Sequence, residues 1–177
     1  MKKVNKFAVL GLILIGIFLV WKMNNQPKLA FEQLPNQVNI SKESTNRPVF
    51  ISIPNKQVSL TVTDSKIINN KWETSQTGAS HLSVSANPGT PGNIVIFGHN
   101  KQALFGKIRQ LKLGDSIYLT DNNGKKYGYN VVEILTVRPS QIEVLNKTDY
   151  EVLTLYTCSG FADSLRFIVK AYPLKEV

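Results

Sequence analysis

The chain from Pro48 onward predicts an all-β domain, a barrel or a sandwich rather than a parallel α/β sheet. Three observations carry that expectation. Short β-branched or aromatic runs recur as "VFISI", "VSLTV", "NIVIF", "SIYLT", "KYGYNVVEILTV", "VLTLYT" and "LRFIVKAY". Turn formers separate them in "IPNK", "NPGTPGN", "LGD" and "DNNGKK". Helical signals are confined to one or two short stretches, "QALFGKIRQL" and "SQIEVLN". Seven or eight short strands at this spacing close up as all-β architectures do.

The elements follow in order. Residues 1–22 hold an apolar run, Phe7 to Trp21, of fifteen residues without a charge, behind Lys2, Lys3 and Lys6 and ahead of Lys22. Fifteen is short for a spanning helix, which wants roughly twenty residues, and near the core length of a signal peptide. No small-x-small cleavage site follows, and lysines at both ends with Trp21 suit the two interfaces. The expectation is a retained signal-anchor, a transmembrane helix with the N-terminus cytoplasmic; a cleaved signal peptide is the alternative. Residues 23–47 are rich in Asn, Gln, Lys and Ser and read as a polar stalk. Residues 48–177 form the β domain, in which "SIYLTDNNGKKYGYNVVEI" predicts a hairpin around an Asx-Asn-Gly turn.

The formal charge of +9 does not mark a nucleic-acid binder. Five of the lysines lie in residues 1–28 without an acid, leaving sixteen basic against twelve acidic residues in the rest. Those are scattered, with no arginine-rich or aromatic-interleaved stripe. The single cysteine excludes an internal disulfide, and in an exported domain an odd thiol points to a reactive group or an intermolecular bridge.

That cysteine, Cys158, ends a strand signal. Alternation puts Val152, Thr154, Tyr156 and Cys158 on one face and Leu153, Leu155 and Thr157 on the other. The leucine face reads as core, leaving Cys158 on the mixed face at a strand end, where scaffolds present reactive groups. A small buried hydrophobe is the competing reading. Arg166, the only arginine after that cysteine, lies on the non-core face of the next strand signal. If the two strands pair antiparallel across residues 159–165, their Cβ atoms approach to about 4.5–5.5 Å. A guanidinium there favours thiolate over a thiol of reference pKa about 8.5, and can donate to an oxyanion on an attacked carbonyl. A thiol nucleophile also needs a proton-transfer partner. Of the two histidines, His81 sits in the loop-like "TGASHLSVSANPGT", whereas His99 follows "NIVIF" at a strand exit, with Gly98 allowing an unusual backbone angle before it. His99 is the favoured partner, and a loop histidine bonded to backbone is the plain reading of either.

Together these residues resemble the sortases, membrane-anchored cysteine transpeptidases of bacterial surfaces. "TLYTC" at Thr154–Cys158 matches that family's Thr-Leu-x-Thr-Cys signature, and "GNIVIFGHN" is similar to the segment carrying its histidine. Arg166 in "LRFIV" falls where its arginine opens the strand after the cysteine loop. "SHLSVSANPGTPGN" and "LFGKIRQLKLGDSIYLT" resemble the flanking stretches, so the likeness covers Val49 to Pro173. The compact histidine and cysteine segments look nearer to the D, E or F types than to A or B.

The resemblance implies a closed eight-stranded β-barrel and a mechanism. Cys158 is then the nucleophile on the Thr–Gly carbonyl of a Leu-Pro-x-Thr-Gly-like signal. His99 protonates the leaving amine and later activates the incoming one, and Arg166 stabilises the oxyanion. Implied partners are surface proteins with a C-terminal sorting signal and an amine from a cell-wall precursor or a pilin lysine. The barrel is then held at the cell membrane on its extracytoplasmic side. No cofactor is required; calcium activates some members, but no Asp/Glu cluster here has calcium-loop spacing. A hydrolytic cysteine peptidase with the same residues, or a membrane-tethered binding module without chemistry, are the alternatives.

Overall fold

The computed structural model describes residues 6–24, 29–31, 46–68 and 71–174. Ten strands follow helix α1 (Lys6–Asn24). They are β1 (Pro48–Ile53), β2 (Val58–Ser65), β3 (Ile67–Ile68), β4 (Lys71–Trp72) and β5 (Ala79–Leu82), then β6 (Gly92–Phe97), β7 (Ser116–Asp121), β8 (Lys126–Val137), β9 (Glu151–Ser159) and β10 (Leu165–Pro173). Eight of them close a barrel in the order β1-β2-β5-β6-β9-β10-β8-β7, and β3 and β4 form a separate small hairpin. The β2–β5 and β6–β9 contacts are parallel and the others antiparallel. Closure removes the exposed edges that an open sheet of short strands would leave.

The seven strand signals all become strands. The β7–β8 turn forms as its residues require: Asp121 Oδ1 accepts from the backbone N–H groups of Asn123 and Lys125, and Gly124 takes φ +82°. The two helical stretches close as 3₁₀ turns at Phe105–Gln110 and Ile142–Leu145, joined by two more at Pro54–Lys56 and Phe161–Asp163. Strand β5 is the correction. "ASHL" reads as loop because two of its four residues are polar, yet all four are buried between β2 and β6.

Alternation sorts β9 as expected. Leu153 and Leu155 fill the barrel with Ile51, Ile94, Ile96, Leu119, Tyr129 and Val169, all fully buried. The other face is also covered, which a mixed face does not foretell. Tyr156, Cys158, Val95, Phe97 and Ile168 join a second apolar cluster with Trp72, Leu82, Leu145 and Leu29–Phe31. Residues 29–31, inside the span read as a stalk, thus pack on the barrel wall.

The N-terminal apolar run is helical, but among the described residues no helix is long and apolar enough to cross a membrane. The 19 residues of α1 rise about 28 Å, against a hydrocarbon core of about 30 Å. The expected transmembrane helix is therefore not shown.

Candidate active site

Two neighbouring strands and the exit of a third carry the three expected residues. Arg166 on β10 is in direct register with Cys158 on β9. On the other side of β9, the parallel β6 pairs Phe97 with Tyr156. β6 ends there, and His99 follows it by two residues, as Cys158 follows Tyr156 on β9. Two hydrogen bonds hold that exit in place. Gly98 N–H donates to Tyr156 O at 3.3 Å, and the Thr157 hydroxyl donates to Gly98 O at 2.7 Å. Gly98 is needed for space rather than for an unusual angle: a Cβ there would lie 3.0 Å from the Cβ and Cγ of Phe105. His99 O then accepts from the N–H groups of Lys101 and Phe105, fixing the backbone beyond it.

Arg166 is 3% exposed and has backbone carbonyls as its hydrogen-bond partners. Nη1 donates to Asp163 O at 2.8 Å and to Leu165 O at 3.0 Å, and Nη2 donates to Ala30 O at 2.8 Å. Among the described residues no carboxylate forms an ion pair with it. A guanidinium keeps its charge when buried, so here it stands ready to stabilise an anion that develops beside it. The loop that supplies Asp163 O holds two non-glycine residues at positive φ, Ala162 at 51° and Asp163 at 61°. Each costs about 1–2 kcal/mol, a strain that persists where surrounding contacts over-determine it.

The two histidines are distinguished by their partners. His81 is 1% exposed on β5, with Nδ1 3.0 Å from Asp64 Oδ1 and Nε2 3.0 Å from Ala86 O. Both ring nitrogens are committed to structure. His99 is half-buried, and its Nε2 has no hydrogen-bond partner among the described residues. Desolvation, and then the Lys101 charge, hold the His99 pKa below its ordinary 6.5, opposed by Asp163. The neutral imidazole therefore prevails at neutral pH.

Tyr156 Oη, Ser159 Oγ, Thr154 Oγ1 and Arg166 Nε are likewise buried without partners among the described residues. Each such atom costs about 1–3 kcal/mol unless something completes it. Among the described residues no group of three or more His, Cys, Asp or Glu side chains is placed to hold a metal ion.

The Asp64–His81 pair yields a stability prediction. The His81 hydrogen bond holds the Asp64 carboxyl below its ordinary 3.8; burial opposes this, and Arg47 adds to it with a contact at 3.0 Å. A depressed carboxylate stabilises the fold above pH 3.8, and that contribution is lost as pH falls through the lower folded value. Removing the ring by His81→Ala is expected to cost about 2–3 kcal/mol at pH 7, since it leaves a partly buried carboxylate without its main partner. Thermal unfolding measured from pH 7 to pH 3 should show that difference shrinking toward the acid end.

Comparison with known proteins identifies relatives of this chain. The sortase-domain family model matches residues 51–174. A sortase A of Bacillus anthracis is 34% identical over 149 residues, covering 82% of this chain and 66% of that protein. A sortase A of Listeria monocytogenes is 30% identical over 167 residues, covering 88% of this chain and 72% of that one. Among solved structures, sortase C-1 from Actinomyces oris superposes with a TM-score of 0.62 at 29% identity, across 73% of this chain and 76% of its own.

Proposed function

The chain belongs to the sortase family of cysteine transpeptidases, and on that premise we propose that it captures a Leu-Pro-x-Thr-Gly-like peptide on Cys158 and passes it to an amine. The observation that supports this reading is the register of Arg166 with Cys158, beside the β6 exit that leads into His99, with a buried guanidinium that no carboxylate pairs among the described residues.

The steps follow from the resting charges. Neutral His99 takes the Cys158 proton as sulfur adds to the Thr carbonyl carbon. The carbonyl oxygen becomes an anion beside Arg166. Collapse breaks the Thr–Gly bond, and His99 returns the proton to the departing glycine nitrogen, leaving a thioester. An incoming amine gives a proton to His99 as its nitrogen adds to the thioester carbonyl; collapse breaks the C–S bond to form the new amide, and His99 returns that proton to sulfur, restoring the thiol. The amine belongs to a cell-wall precursor or a pilin lysine, and the peptide to a surface protein with a C-terminal sorting signal. Helix α1 is the proposed membrane anchor, with the barrel outside the cytoplasm. Its large apolar side chains, among them Phe7, Leu12, Ile17, Phe18 and Trp21, are exposed rather than packed away. Lysines flank its apolar run in the sequence, at Lys6 and Lys22.

Incubating the protein with a labelled sorting peptide, with and without an added glycine-type amine, tests the reading. Amide product that appears only with the amine supports transfer. Free acid alone, at every amine concentration, would replace it with a hydrolase. The histidine adds a pH signature. The acid limb of kcat/KM is expected below pH 6.5, because the neutral ring of the free enzyme starts the reaction. Lys101→Ala removes one of the two causes and should move that limb upward, whereas an unmoved limb would detach it from His99.

A further inference from the structure

A cavity of about 510 Å³ opens at the end of the barrel opposite Cys158. Glu151, the first residue of β9, lines it, and Cys158 follows seven residues later on the same strand. At the rise of an extended chain that is about 23 Å, so the cavity is separate from the thiol.

Its walls are aromatic. Tyr118 is 38% exposed and pairs across the β7–β8 ladder with Gly128. A Cβ at Gly128 would lie 2.6 Å from Leu174 Cδ1 and 3.5 Å from Tyr118 Cε1, so the bare glycine lets both side chains close over the strand. On the inner wall the Tyr127 hydroxyl donates to Asp121 Oδ2 at 3.0 Å, and Lys125 Nζ sits 5.0 Å from the Tyr127 ring centre. Glu151 Oε1 accepts from the Tyr129 hydroxyl at 2.6 Å and from Gly89 N–H at 2.9 Å; both bonds fall on one oxygen and leave Oε2 for a ligand. Lys125 and Lys126 form no ion pair among the described residues. The site is also preformed, since Asp121 fixes the turn that carries both lysines as well as the Tyr127 hydroxyl.

That lining discriminates among ligands. The Glu151 carboxylate repels an anion, and the two ammonium groups repel a cation. A rim of hydroxyls suits both, donating to the carboxylate and accepting from the lysines. A ring that carries such a rim also has an apolar C–H face, which an exposed tyrosine ring can cover. A second aromatic step lies beside the first. Two residues before Leu174, Tyr172 meets Tyr150 edge-on at 5.7 Å, and both rings are exposed. The surface thus fits a chain of rings better than a single one.

We propose that this end of the barrel is a saccharide site. One pyranose ring stacks on Tyr118 with its hydroxyls between Glu151 and the two lysines, and the oligosaccharide continues toward Tyr172. The site touches no reacting atom. It holds the barrel against a glycan while Cys158, at the other end, works on peptide. This goes beyond the transfer reading and is tested without turnover.

Calorimetric titration of the full chain in detergent with chitotetraose, cellotetraose and maltotetraose reads the site. At least one of them is expected to bind with a Kd of about 1 mM or tighter. Tyr118→Ala should weaken that binding about tenfold or more by deleting the stacking face, whereas Tyr118→Phe should stay within about twofold. Both changes are at an exposed side chain, and an unchanged unfolding temperature shows the barrel intact. Failure of all three sugars to bind at about 10 mM would overturn the proposal. So would binding that Tyr118→Ala leaves as it was, or a Tyr118→Phe protein that loses as much as Tyr118→Ala. Inorganic polyphosphate that displaces the bound sugar would make the surface a basic patch for anions and overturn it equally.

Discussion

Cys158→Ala is expected to abolish both the acyl adduct and the transferred product, a loss of about 10⁴-fold or more, while the barrel stays folded. The size follows from the role: without the sulfur no thioester forms, and what is left is binding and whatever Arg166 does for attack by water. The fold survives because little is removed. Cys158 lies in the outer apolar cluster with Tyr156, Ile168 and Val137, and alanine leaves a gap of one sulfur atom there. The expected cost is on the order of 1 kcal/mol. Intact-mass measurement after incubation with a sorting peptide reads the adduct directly, and thermal unfolding reads the fold. A variant that loses stability but keeps turnover would return Cys158 to the role of a buried apolar residue.

The parts of the site that alternate were legible in the sequence, and the parts that depend on distant packing were not. Period-two patterning is local, so "VLTLYTC" and "LRFIVKAY" already state which faces Cys158 and Arg166 occupy. The β7–β8 hairpin was equally plain, because Asp121 and Gly124 encode the turn by themselves. Strand β5 escaped because Ser80 and His81 look like loop residues until Asp64 and Ser75 supply their partners from elsewhere in the chain. The covering of Cys158 escaped for a similar reason. Leu29, Ala30 and Phe31 are three apolar residues in a polar stretch, without periodicity, and only the arrangement of Trp72, Tyr156 and Arg166 gives them a place to bind. Gly98 was singled out correctly but for the wrong cause, since the crowding by Phe105 comes from a turn seven residues further on.

Arg166→Ala is expected to lower kcat by about 10²–10³, with a much smaller change in KM. A donor aimed at a developing oxyanion contributes to the transition state more than to the bound peptide, and deletion of one such donor in other enzymes has that size of effect. Arg166→Lys should recover only part of the loss. Lysine keeps the charge, but as a compact point charge on a flexible stem. It cannot hold Asp163 O and Leu165 O with one fork arm while presenting the other to the groove. Stability is expected to change less than the burial of a cation suggests. No carboxylate is paired with Arg166 among the described residues, so its removal strands no opposite charge. The same substitution also removes the donor to Ala30 O. Arg166→Ala should therefore lower kcat far more than it changes KM or the unfolding temperature, a split that a purely structural arginine would not give. If turnover fell only in proportion to a lowered unfolding temperature, the guanidinium would be a brace for the β9–β10 loop and nothing more.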